Sequence, residues 1–145
     1  MKRKRNQRGA ALVEAAMVLP LLLLISAGIF EFGSAYQTWQ VLTNAAREGA
    51  RIATLPNGAP ATAEARVRQY MQSGQLPDFA TATVSVDRAA TITVNGAPQT
   101  ASQVVIGYPY DFIVLQPLAR LVVAGTNTGS SLTMQASALM RNEAQ

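Results

Sequence analysis

The chain has 145 residues, room for one membrane segment and one small domain but not for two soluble domains. It contains no Cys and no His, and both of its lysines, Lys2 and Lys4, lie at the N-terminus; this excludes disulfides, thiolate chemistry, the usual zinc ligand sets and the Ser-His-acid triad. The formal charge of +4 is local, because residues 1–9 hold five of the 12 basic residues and none of the eight acids, leaving seven basic against eight acidic groups, a net of −1, so a nucleic-acid partner loses its support.

The first element is the basic leader, residues 1–9, with Lys2, Arg3, Lys4, Arg5 and Arg8. Residues 10–30 follow as a predicted transmembrane helix, roughly 31 Å long at 1.5 Å per residue, with Glu14 as its one charged residue. The positive-inside rule then places the leader in the cytoplasm and everything after the span outside it, in the periplasm of a cell with two membranes. A carboxylate near the head of such a helix costs about 2.5 to 3.5 kcal/mol at the bilayer centre, so Glu14 calls for a partner, or else snorkels to the headgroups. Pro20 predicts a kink inside the span, either a useful bend or one tolerated where neighbours satisfy the freed carbonyl. A secretory signal peptide is the rival reading, with Ile25-Ser26-Ala27 as a small-residue cut site. Against it stand Glu14 and the apolar pattern that runs on through Phe30.

Residues 31–54 stay helical but turn amphipathic, with Phe32, Tyr36, Trp39, Leu42, Ala46, Gly49, Ala50 and Ala53 on one predicted side. The small residues there admit close packing, against either another subunit's helix or the chain's own sheet. The turn at Leu55-Pro56-Asn57-Gly58 opens a predicted α+β domain over residues 55–145. A second helix is expected over 62–73, with Val67, Tyr70 and Met71 inward and Arg66 and Arg68 in solvent. The period then changes to two. Strands are expected at 81–87, at 91–94 before the Asn95-Gly96 turn, at 102–108 and at 132–141. The apolar stretch 112–123 reads as a loop and short helix that covers the sheet or lies on the membrane surface, and Gly125 to Ser131 as a flexible connection. The fold class is thus α+β: a long N-terminal helix, its inner half transmembrane and its outer half amphipathic, packed on a small antiparallel sheet of about four strands.

The segments Arg8-Gly9-Ala10-Ala11-Leu12-Val13-Glu14, Leu19-Pro20-Leu21-Leu22-Leu23-Leu24, Glu31-Phe32-Gly33 and Asn44-Ala45-Ala46-Arg47-Glu48-Gly49-Ala50-Arg51 resemble the TadE-like family, pseudopilins of the Tad (Flp) pilus assembly machinery. Tyr108-Pro109-Tyr110, Pro117-Leu118 and Met140-Arg141-Asn142-Glu143 are more loosely similar to that family's tail. The chain departs from the pattern of Flp-type prepilins at Ala15, where those usually carry an aromatic residue. The resemblance implies a pilin-like fold and removal of residues 1–9 by a prepilin peptidase, with Gly9 and Ala10 flanking the cut. It also implies that Glu14 is the subunit-assembly contact, meeting the amine freed at Ala10 of another chain. The implied partners are the membrane, the peptidase, other pilin-like subunits and the Tad inner-membrane machinery. No cofactor, metal, catalytic residue, small-molecule substrate or nucleic acid is expected.

Two other classes stay in view. One is a non-polymerising, single-pass membrane-anchored scaffold or binding module. The other is a membrane-tethered enzyme, for which Asp78, Asp87 and Asp111 are the acids of the sheet region, scattered and without a partner base.

Overall fold

The computed structural model describes residues 6–122 and 131–143. Lys2, Arg3, Lys4 and Arg5 of the leader, and all but the last residue of the 125–131 connection, lie outside the described residues. In chain order the elements are α1 (Asn6–Ala53), α2 (Pro60–Ser73), a 3-10 turn (Phe79–Thr81), β1 (Thr83–Val94), β2 (Ala97–Tyr110), α3 (Leu115–Val122) and β3 (Leu132–Arg141). They divide into two compact units. Among the described residues, one unit holds 6–34 and 112–122, and the other 35–111 and 131–143.

The larger unit is built on an antiparallel sheet in the order β1-β2-β3. It has three strands where the alternation predicts four, because 83–94 is a single strand. A bulge between Asp87 and Ala90 carries β1 through Arg88 and Ala89, whose charge and weak β propensity interrupt the Val/Ile/Thr pattern. At Asn95 and Gly96 the backbone takes φ of 53° and 79°, the two positive values of a type I′ turn, and Val94 pairs directly with Ala97. β2 therefore starts five residues earlier than its apolar residues indicate. β3 keeps the expected alternation, with Met134, Ala136, Ala138 and Met140 toward the core.

The outer part of α1 packs against this sheet through Leu42, Ala45, Ala46, Ala50 and Ala53, all fully buried beside Val67 and Met71 of α2 and Val104, Ile106 and Tyr108 of β2. A β-carbon on Gly49 would stand 2.4 Å from the Val67 side chain and 3.5 Å from Val104, so the small residues serve close approach to the chain's own α2 and β2. In this unit the buried stripe begins with Ala35 and Thr38, and two of the three aromatics of the expected stripe, Tyr36 and Trp39, are instead 60% and 47% exposed. A sheet this close to the helix axis has no room for large rings. Arg66 and Arg68 are partly exposed and also paired: Arg66 with Glu48 of α1, and Arg68 with Glu64 and the carbonyls of Phe79 and Ala80.

Side chains from distant strands close the C-terminal end of α1. The Arg88 guanidinium donates to the carbonyls of Ala53 (3.0 Å) and Leu55 (3.1 Å), placing a cation at the negative end of the helix. The Ser102 hydroxyl lies 3.1 Å from Ala53 O and 2.6 Å from Asn142 Oδ1, and the Asn142 amide donates to Arg88 O. The bulge in β1 aims Arg88 at this point, and the end of β3 delivers Asn142.

Candidate functional site on the N-terminal helix

The smaller unit concentrates the candidate residues. Along α1, Leu12, Met17, Leu19, Leu21, Leu22, Leu23, Ile25, Ile29 and Phe30 are all more than half exposed. An 18-residue window of this helix has a mean hydropathy of 2.3 with none of it buried, so α1 is long and apolar enough to cross a membrane. Water is a poor solvent for a continuous apolar surface of this length, and lipid a good one.

Gly9, Ala10 and Glu14 all lie on α1 and are exposed. Helix geometry places Glu14 about 6 Å along the axis from Ala10, a little over one turn. No ion pair involves Glu14 among the described residues. Gly9 has open space around it, and Arg8 falls in the opening turn of the helix. The helix runs on through Pro20, whose missing N–H leaves the Ala16 carbonyl without its intrahelical donor. Four residues below Ser26, the Leu22 carbonyl accepts the serine hydroxyl at 2.8 Å, which satisfies that hydroxyl inside the apolar stretch.

Glu31 is the residue whose role the sequence did not disclose. It ends the apolar run, yet it is only 7% exposed. Its carboxylate accepts the backbone N–H of Leu115 at 2.9 Å and that of Val114 as well, across 84 and 83 positions of chain. These are donors at the start of α3, where an anion is favoured by the helix dipole. Beside this contact, Phe32 and Phe112 meet edge to face at 6.0 Å. Between α1 and α3 runs an apolar groove of about 560 Å³, lined by Pro20, Leu23, Leu24, Ala27, Val114 and Leu118. The stretch 112–122 thus groups with the apolar part of α1, and Ile113 is 84% exposed. Its apolar character was legible; its attachment to Glu31 was not, since the only sequence signal is an acid at the edge of a span.

In the larger unit, Glu48 accepts from Arg51 at 3.0 and 3.1 Å and from Arg66 at 3.1 Å. The Arg51 hydrogen bonds, aided by Arg66 and opposed by partial burial, lower its pKa to about 2. This is a carboxylate held ionised between two helices, with no titration near neutral pH. Tyr108 donates its hydroxyl to the Pro77 carbonyl, and burial, reinforced by the charges of Asp78 and Asp111, raises its pKa. Asp87 accepts the Ala89 N–H at 2.8 Å within the bulge. Among the described residues, no three His, Cys, Asp or Glu side chains are grouped to hold a metal.

Residues 9–51 match the family model described as TadE-like protein, over the same stretch that carries the resemblance read from the residues. No curated protein and no solved structure matches the chain. The match covers the apolar part of α1 and most of its outer part, and it relates the chain to the Tad pilus system.

Proposed function

We propose that the chain works within the TadE-like family that its residues 9–51 match, as a minor pilin-like subunit for assembly of a Tad/Flp-type pilus. A prepilin peptidase cuts between Gly9 and Ala10 on the cytoplasmic side, and the subunit assembles through its N-terminal helix. Residues 1–9 are the leader, 10–30 the single span and 31–54 the outer half of the helix, with the domain of 55–145 in the periplasm or outside the cell. The five leader cations hold the N-terminus in the cytoplasm. Glycine suits the cut: in a helix it is about 1 kcal/mol less favourable than Ala, so the turn around Gly9 melts readily into the extended form a protease cleft takes.

The observation that carries this reading is Glu14, a carboxylate exposed on an otherwise apolar helix face. The amine freed at Ala10 supplies the missing charge. Paired between subunits in a low-dielectric helix bundle, amine and carboxylate offset a desolvation that neither bears alone, and the pair sets the axial register of an incoming subunit. The partners are then the peptidase, other pilin-like subunits and the Tad inner-membrane machinery, and no catalysis is assigned to the chain. Exposed Tyr36 and Trp39, a few residues beyond the span, suit the aromatic belt of a membrane interface.

Mass spectrometry of the chain purified from cells carrying the Tad machinery tests the processing step. A mature N-terminus at Ala10 is expected; an intact leader in a cell that assembles pili sinks the reading, and a start at Gly28 identifies a signal peptide. The Glu14→Gln variant should still be cut, yet its recovery in pilus or inner-membrane assembly complexes should fall about tenfold or more, as for loss of a desolvated charge pair. Undiminished recovery favours a non-polymerising anchored module.

A further inference from the structure

We propose that Ile113–Val122 is a second lipid-contacting element, which enters the leaflet on the domain side of the membrane alongside the span and forms with α1 a groove for acyl chains. The inference rests on the reading of α1 as a membrane span, and it adds a re-entrant segment to what that reading describes as a single-pass anchor.

Depth is the first argument. The carboxylate of Glu31 holds the Val114 and Leu115 amides at the end of the apolar run. From there Val114 and Leu118 line a groove with Ala27, Leu24, Leu23 and Pro20, which lie about 6 to 17 Å further into the span along the helix axis. Whatever medium surrounds Leu24 therefore surrounds Leu118. Composition agrees. From Phe112 to Val122 the chain reads Phe-Ile-Val-Leu-Gln-Pro-Leu-Ala-Arg-Leu-Val, with Gln116 and Arg120 as its polar residues. Ile113, at 84% exposure, is an exposed apolar side chain of the same unit as Ile29 and Phe30, at 68% and 79%.

Backbone chemistry is the second, independent argument. In water, the free N–H groups at the start of a helix are satisfied by solvent, and no acceptor need be built for them. In hydrocarbon each such donor costs several kcal/mol. Here Glu31 accepts two of them, Leu118 N–H returns to Val114 O at 3.2 Å, and Pro117, in the first turn, has no N–H to satisfy. The donors at Val114 and Leu115 are thus met by protein and Pro117 carries none, as a medium without water favours.

The absence of cysteine makes the test direct, because each added thiol is the chain's single label site. Full-length Ile113→Cys, Leu118→Cys, Leu22→Cys and Gln99→Cys variants are labelled with an environment-sensitive fluorophore. They are then reconstituted in phosphatidylethanolamine/phosphatidylglycerol vesicles whose acyl chains carry bromine. Labels at 113 and 118 should be quenched about twofold or more, as at position 22, while the label at 99 is not. Quenching at 22 without quenching at 113 and 118 overturns the proposal and leaves the span intact. Absence of quenching at all three sites defeats the span reading and this one with it. Energy transfer between donor and acceptor labels at 118 on different chains, without lipid quenching, gives the groove to a second copy and likewise overturns the proposal.

Discussion

Residues 10–30 and 35–53 lie on the same helix, yet they expose and bury opposite kinds of side chain: only the second stretch buries any. The first stretch is rich in Leu and Ile and leaves them exposed; the second conceals Ala, Gly and a single Leu and exposes its Tyr and Trp. Hydropathy alone ranks the first as the better core. Burial reverses the order, because a core needs a partner surface, and the second stretch packs on the sheet of its own unit. The difference separates two surroundings for one helix: the chain's own sheet for the outer part, and for the inner part an apolar medium such as the lipid of the proposed span.

Truncating one leucine in each half breaks or confirms that contrast with the largest effect. Leu42→Ala, at a fully buried position, should cost about 2 to 5 kcal/mol of domain stability, whereas Leu22→Ala, at an exposed one, should cost under about 0.5 kcal/mol. Thermal unfolding in detergent micelles followed by circular dichroism reads both, and equal losses would mean that the inner half also packs on the domain.

A smaller effect is expected at Glu31, which ends the apolar run of the inner half and binds a remote segment. Glu31→Ala removes a cap worth roughly 0.5 to 2 kcal/mol, so the amides of Val114 and Leu115 should exchange about 2- to 30-fold faster. Amides of β2 should hold their rates, as hydrogen exchange with mass spectrometry would record. A global rise across β2 would show that the two units share one stability.

The smallest effect belongs to Glu48 in the outer half. Its pKa is depressed from 4.5 to about 2, so its stabilising contribution is present above pH 4.5 and is lost as the pH falls through about 2. Both arginine partners are partly exposed, which limits the contribution to about 1 kcal/mol at most. Urea midpoints between pH 5 and pH 2 should fall less for Glu48→Gln than for the unmodified chain, and added salt should narrow the gap.

Much of this was legible residue by residue. The candidate span is legible because sixteen uncharged residues run from Ala15 to Phe30, and the structure makes them one helix long and apolar enough to cross a membrane. Helix α2 and the Asn95-Gly96 hairpin follow from local periodicity and turn chemistry. The fourth strand failed because Arg88-Ala89-Ala90 looks like a break, and only pairing with β2 shows that the ladder continues past a bulge. The aromatic stripe failed for a similar reason: helical spacing alone leaves several faces open, and the sheet chose the one lined with small side chains. The candidate residues Gly9, Ala10, Glu14 and Pro20 could be named from sequence because the roles proposed for them are local to one helix.

What the sequence determined by itself is therefore whatever depends on neighbours within a few positions: the basic N-terminal stretch, the apolar run with Glu14 at its head, the helix and strand periods, and the family-like pattern over residues 9–51. Tertiary structure alone decided which side of α1 faces the sheet, that Arg88 and Asn142 finish its C-terminal end, and that Glu31 reaches 84 residues along the chain to hold α3. Those are contacts between groups far apart in sequence. They are specified by packing distance and by the need to satisfy each buried polar group, and neither of these is written in any single stretch of residues.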